Sequence, residues 1–134
     1  MNVIFVANRE VPCPKNSPLF KMVICEKTSG AADDYIYKNC QNTDIVITRD
    51  IPFAKRLIEK NIFVMNDRGT IFTRENIDER LSERNFSLTL ANLGLAGSSE
   101  KRYGQKELRK FATTFERHTS QLLMNELFLA KKNQ

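Results

Sequence analysis

Residues 43–61, TDIVITRDIPFAKRLIEKN, constrain the fold more than any other stretch. Ile45, Val46 and Ile47 form a β-branched apolar run too short for a helix, which predicts a strand buried on both faces. A helix is predicted to follow at once. Asp50 is a good N-cap, Pro52 is tolerated in the first turn, Ile51, Ala54, Leu57 and Ile58 supply an apolar face, and Asn61 can end it. A strand feeding a helix this tightly is half of a βαβ unit. In open α/β sheets ligands bind beyond the carboxyl ends of the strands, where Thr48, Arg49 and Asp50 would stand.

The rest of the chain repeats the alternation. Short strands are predicted at residues 3–7, 19–25 and 62–65, with a brief extended piece at 70–73. Pro12, Pro14 and Pro18 mark a loop, and Asn66-Asp67-Arg68-Gly69 is strong turn chemistry. Helices are predicted over 31–40, over 76–92 as one or two pieces with Thr73 as N-cap, and over 105–128, where Leu108, Phe111, Phe115 and Leu122 make a stripe. Three of the five glycines fall in 94–104, read as a mobile loop. The pattern predicts a single α/β domain over residues 1–134, a three-layer sandwich with a mainly parallel, four-stranded sheet. Its loops after Ala7, Cys25, Ile47 and Met65 would share one rim.

Composition narrows the function classes. At 134 residues the chain can bury one core. A formal charge of +5 permits an anionic partner, nucleic acid above all, and serves solubility equally well. Three cysteines without a C-x-x-C pair and one histidine indicate neither a disulfide framework nor a zinc site, which fits a reducing cytoplasm. No apolar run approaches the roughly 20 residues that span a bilayer. Phosphate-binding loops of the P-loop or G-x-G-x-x-G type are absent, as are Ser-His-Asp and Cys-His arrangements.

Candidate chemistry therefore rests on acids at the rim: Asp33, Asp34, Asp50 and Asp67. Converging carboxylates raise one another's pKa unless a cation neutralises them. Mg²⁺ or Mn²⁺ would do so and could polarise a phosphodiester. Ordinary readings stand beside this one: Asp50 as an N-cap, Asp34 paired with Lys38 one turn on, Asp67 as a turn residue. Arg49, Arg68 and Arg74 are candidate nucleic-acid contacts, Arg74 only if the extended piece at 70–73 returns to the same rim. Arg80 and Arg84 suit a solvated helix face, and His118 a structural place beside the last helix's stripe.

The blocks Ala32-Asp33-Asp34, Asp44-Ile-Val-Ile-Thr48-Arg-Asp50-Ile-Pro-Phe-Ala54, Arg68-Gly69 and Glu75-Asn76-Ile77-Asp78-Glu79-Arg80-Leu81 resemble those of the bacterial YaiI/YqxD family of uncharacterised proteins. The resemblance runs in order from about Val3 to about Leu123. That family is similar to PIN and NYN domains, Rossmann-like nuclease folds that gather acids around divalent metal at the carboxyl rim. The resemblance implies Asp33 and Asp50 as metal ligands, Thr48 as the accompanying hydroxyl, and RNA rather than DNA as substrate. Family members usually open with a strand bearing Asp-x-Asp-Ala-Cys-Pro and a helix. Neither stands here, and Gly30 replaces an acid that members often carry. The resemblance thus implies a chain truncated at its N-terminus, with oligomerisation or altered sheet pairing to satisfy the neighbours of the missing strand. Asp33 and Asp50 alone make a weak Mg²⁺ site. A non-catalytic nucleic-acid-binding or protein-interaction module stays open beside the nuclease.

Overall fold

The computed structural model describes residues 1–14, 17–95 and 102–132. The chain falls into two compact units, Met1–Gln41 and Asn42–Gln134.

In the first unit, β1 (Val3–Ala7) and β2 (Phe20–Ile24) pair in parallel, with Val3 opposite Phe20 and Ala7 opposite Ile24. Phe5 and Phe20 stack with ring centroids 6.2 Å apart. A parallel pair cannot be closed by a tight turn, and the proline-bearing segment between the strands makes the return. Helix α1 (Ala31–Asn39) follows β2. Its N-cap is Gly30, whose φ of +79° is left-handed and whose missing side chain leaves the first turn without a side-chain cap.

The second unit carries the core. β3 (Ile45–Ile47), α2 (Ile51–Glu59) and β4 (Phe63–Met65) form a βαβ unit with β3 and β4 parallel. Asp50 Oδ1 accepts the Phe53 N–H at 3.0 Å, which makes Asp50 the N-cap of α2. Asn61, with φ +63°, ends that helix: Asn61 N–H donates to the Ile58 carbonyl and Ile62 N–H to that of Leu57, the bonding of a Schellman cap. Phe53, Ala54, Leu57 and Ile58 of α2 are buried with Val46, Ile62, Val64, Met65, Phe72 and Ile77. After the turn at Asn66–Gly69 the chain comes back as β5 (Ile71–Phe72), antiparallel to β4.

Helix α3 (Ile77–Asn92) is a single helix. Thr73 caps the turn that leads into it: Thr73 and Asn76 exchange side-chain to backbone hydrogen bonds of 3.2 and 2.8 Å in the manner of a capping box, and Ile77 N–H donates to the Thr73 carbonyl. Helix α4 (Gln105–Lys132) runs one turn beyond its predicted end. The loop expected over 94–104 falls largely on residues 96–101, outside the described residues.

Two expectations need correction. In place of one four-stranded, mainly parallel sheet there is a parallel pair, β1-β2, and a mixed three-stranded sheet ordered β3-β4-β5. The short turn after β4 accounts for the mixed character of the second sheet, since so few residues can lead only into an antiparallel neighbour. β3 is also not buried on both faces. Val46 is buried, whereas Ile47 is 43% exposed, because β3 is the edge of its sheet.

Candidate functional site

The carboxyl end of β3 presents Thr48, Arg49 and Asp50 in one turn of chain. Thr48 N–H extends the ladder to the Met65 carbonyl at 3.0 Å, and its Oγ1 accepts the Asp50 N–H at 3.1 Å. This fixes Asp50 as it enters α2, where Oδ1 serves as the cap. Arg49 swings across to the turn after β4. Its Nε donates to Asp67 Oδ2 at 2.9 Å and its Nη2 bonds the same oxygen. That hydrogen bond, outweighing the opposing effect of burial, holds the Asp67 carboxyl below the ordinary carboxylate range. Asp67 Oδ1 is buried and takes no hydrogen bond among the described residues.

The turn itself is rigid for reasons its residues make plain. Asn66 Oδ1 accepts two backbone N–H groups, from Arg68 at 3.0 Å and Thr70 at 2.9 Å. Gly69 supplies the φ of +82° that closes it. Tyr103, just before α4, and Thr114, within it, then clamp the turn from outside: Tyr103 O–H donates to the Asp67 carbonyl at 2.8 Å, and Thr114 Oγ1 to that of Gly69 at 3.3 Å. Arg68 reaches Glu107 at 3.8 Å, and its guanidinium lies 5.7 Å from the centre of the Tyr103 ring. Glu107 is held below its usual range chiefly by backbone N–H groups, its own and that of Gly104.

Arg74 does not join this group. β5 runs antiparallel to β4 and carries Arg74 to the amino end of that strand, where Nη2 donates to Asn61 Oδ1 at 2.6 Å. The return of residues 70–73 thus leads away from the rim rather than back to it. Asp33 stands in the first unit, in the first turn of α1. There it lines a shallow hollow with Ala7, Asn8, Thr28 and Gly30. Among the described residues no three His, Cys, Asp or Glu side chains gather as a metal site. His118 stacks on Phe63 with ring centroids 3.4 Å apart, and burial pushes its pKa down.

Tyr103, Glu107 and the Arg49–Asp67 pair escaped the sequence reading. Asp67 lies 18 residues from Arg49 and 36 from Tyr103 in the relevant contact. Only the turn residues 66–69, already conspicuous, could have flagged the place.

Comparison with known proteins decides the family. Residues 1–121 match the family described as "Uncharacterized BCR, YaiI/YqxD family". The chain belongs to the YaiI/YqxD family. It is 52% identical over 110 residues to a UPF0178 protein of Treponema denticola, which spans 82% of this chain and 69% of that one. A UPF0178 protein of Treponema pallidum is 42% identical over 119 residues, 89% of this chain and 67% of that protein. One of Psychromonas ingrahamii is 37% identical over 115 residues, covering 86% and 76%. No solved structure matches this YaiI/YqxD chain. Among its described residues no helix is long and apolar enough to cross a membrane.

Proposed function

We propose that this YaiI/YqxD protein is a PIN-like, metal-dependent nuclease acting on RNA, with Asp33 and Asp50 as carboxylates for Mg²⁺ or Mn²⁺ and Thr48 as the hydroxyl that accompanies Asp50. One observation carries the reading: within its own unit, each acid stands where a parallel pair of strands ends and a helix begins. That is the place where α/β folds put their ligands. Mg²⁺ can be held through as few as one carboxylate, with water and substrate phosphate completing its shell. The ion would polarise the phosphodiester. Thr48 orients Asp50 through the 3.1 Å bond, and Arg49 and Arg68, each paired with a carboxylate, place guanidinium donors at the same end of the second unit's sheet.

Asp50→Asn is the decisive variant, because Asn caps a helix as well as Asp but is a poor ligand for a hard cation. Incubated with single-stranded RNA and Mg²⁺ or Mn²⁺, the parent chain should cleave and the variant should not, with equal unfolding midpoints. Cleavage retained in the variant would sink the assignment. A second reading, a module that binds nucleic acid or protein without cutting, is favoured by the lack of any three-ligand cluster among the described residues. Salt-sensitive RNA binding with no turnover in either metal would select it.

A further inference from the structure

We propose that Tyr103 and Arg68 form a stacking subsite that takes one unpaired base of single-stranded RNA beside the Thr48–Asp50 turn. The choice of RNA as polymer rests on the function proposed above; the subsite itself rests on geometry. Tyr103 keeps 41% of its surface open to solvent, although a tyrosine of this size gains by burial. Its position is nevertheless set, because its hydroxyl is bonded to the Asp67 carbonyl and Arg68 lies over the ring. Arg68 is in turn steadied by Glu107. An aromatic ring already immobilised loses little freedom when a base settles on it, which is the condition for a useful platform. The ring, Arg68, Asp67 and Arg49 form one chain of contacts leading to the carboxyl end of β3. A base on Tyr103 would therefore bring its sugar-phosphate beside two guanidinium groups, each shared with a carboxylate. Rings paired with arginine in this way are how proteins hold single strands without reading sequence. A duplex, whose bases are stacked already, cannot use the ring.

The test is fluorescence anisotropy of the full chain with a labelled oligoadenylate of about 12 nucleotides in EDTA, so that no cleavage enters. Tyr103→Leu should bind about tenfold more weakly, the loss expected for one stacked base, while Tyr103→Phe, which keeps the ring but loses the hydroxyl bond that fixes it, should lose only part of that affinity. The dependence of affinity on salt should be the same in all three, because stacking releases no counterions. A labelled duplex of equal length should not distinguish Tyr103→Leu from the parent. Equal binding by Tyr103→Leu and the parent, an equal loss in Tyr103→Phe, or no binding by the parent would each overturn the subsite. Absence of cleavage when Mg²⁺ or Mn²⁺ is added, with the Tyr103 dependence intact, would overturn the nuclease reading alone.

Discussion

Gly69 shows how much can hang on one missing side chain. Its φ of +82° closes the turn after β4, and a Cβ there would lie 2.7 Å from both the carbonyl carbon and the oxygen of Lys110 in α4. Those are backbone atoms of a helix and cannot step aside as a flexible side chain would. Gly69→Ala should therefore cost about 2–4 kcal/mol, combining left-handed backbone strain with overpacking. Gly30 is the control. It has nearly the same φ, +79°, but nothing within 4 Å of the added carbon, so Gly30→Ala should cost only about 1 kcal/mol. Urea titrations would show the first midpoint falling well below the second at unchanged slope. Equal midpoints would mean that α4 does not press on the turn. The sequence announced a turn here through Asn66-Asp67-Arg68-Gly69. What packs against it is set by residues some forty positions away, and no local pattern carries that.

At the scale of elements, the sequence was legible where local chemistry decides and opaque where neighbours do. The extent of α2 was readable because Asp50 and Asn61 both work through atoms within a turn of themselves. The exposure of Ile47 was not, since an apolar triplet reads alike in a central and in an edge strand. Nor was the fate of Arg74, which depends on whether the chain after β4 reverses. Helix α4 is held to β4 partly by His118 on Phe63, and this contact should be pH-sensitive. Burial lowers the folded-state pKa of His118, so the folded chain prefers the neutral ring, whereas the unfolded chain takes up a proton near the ordinary value of 6.5. Stability is thus full above that value, falls as pH drops from it towards the depressed folded pKa, and levels off below. His118→Phe retains a ring to stack on Phe63 and removes the proton site. Between pH 7.5 and 5.5, a range chosen to spare the carboxylates, its unfolding midpoint should vary less than the parent's. A parent midpoint flat over that range would contradict the burial of the ring.

For the whole molecule, the uneven distribution of buried side chains matters more than any single contact. Every buried apolar residue among those described, from Val46 to Ile77, belongs to the second unit. In the first, Ile4 is 55% and Ile24 58% exposed even though both lie in paired strands. Hydrophobic burial is the main source of stability, and backbone hydrogen bonds of a lone two-stranded ladder add little without it. The units should then differ in the free energy needed to open them. Amides of Leu57 and Val64 should exchange with solvent only through global unfolding, and those of Phe5 and Met22 at least roughly tenfold faster. Hydrogen exchange followed by mass spectrometry would resolve this peptide by peptide. Equal protection in both units that vanishes on dilution would mean that a second copy covers β1 and β2, reviving the oligomer. Equal protection that survives dilution would contradict the claim that one core supports the fold, because the exposed faces of Ile4 and Ile24 contribute nothing to resist opening.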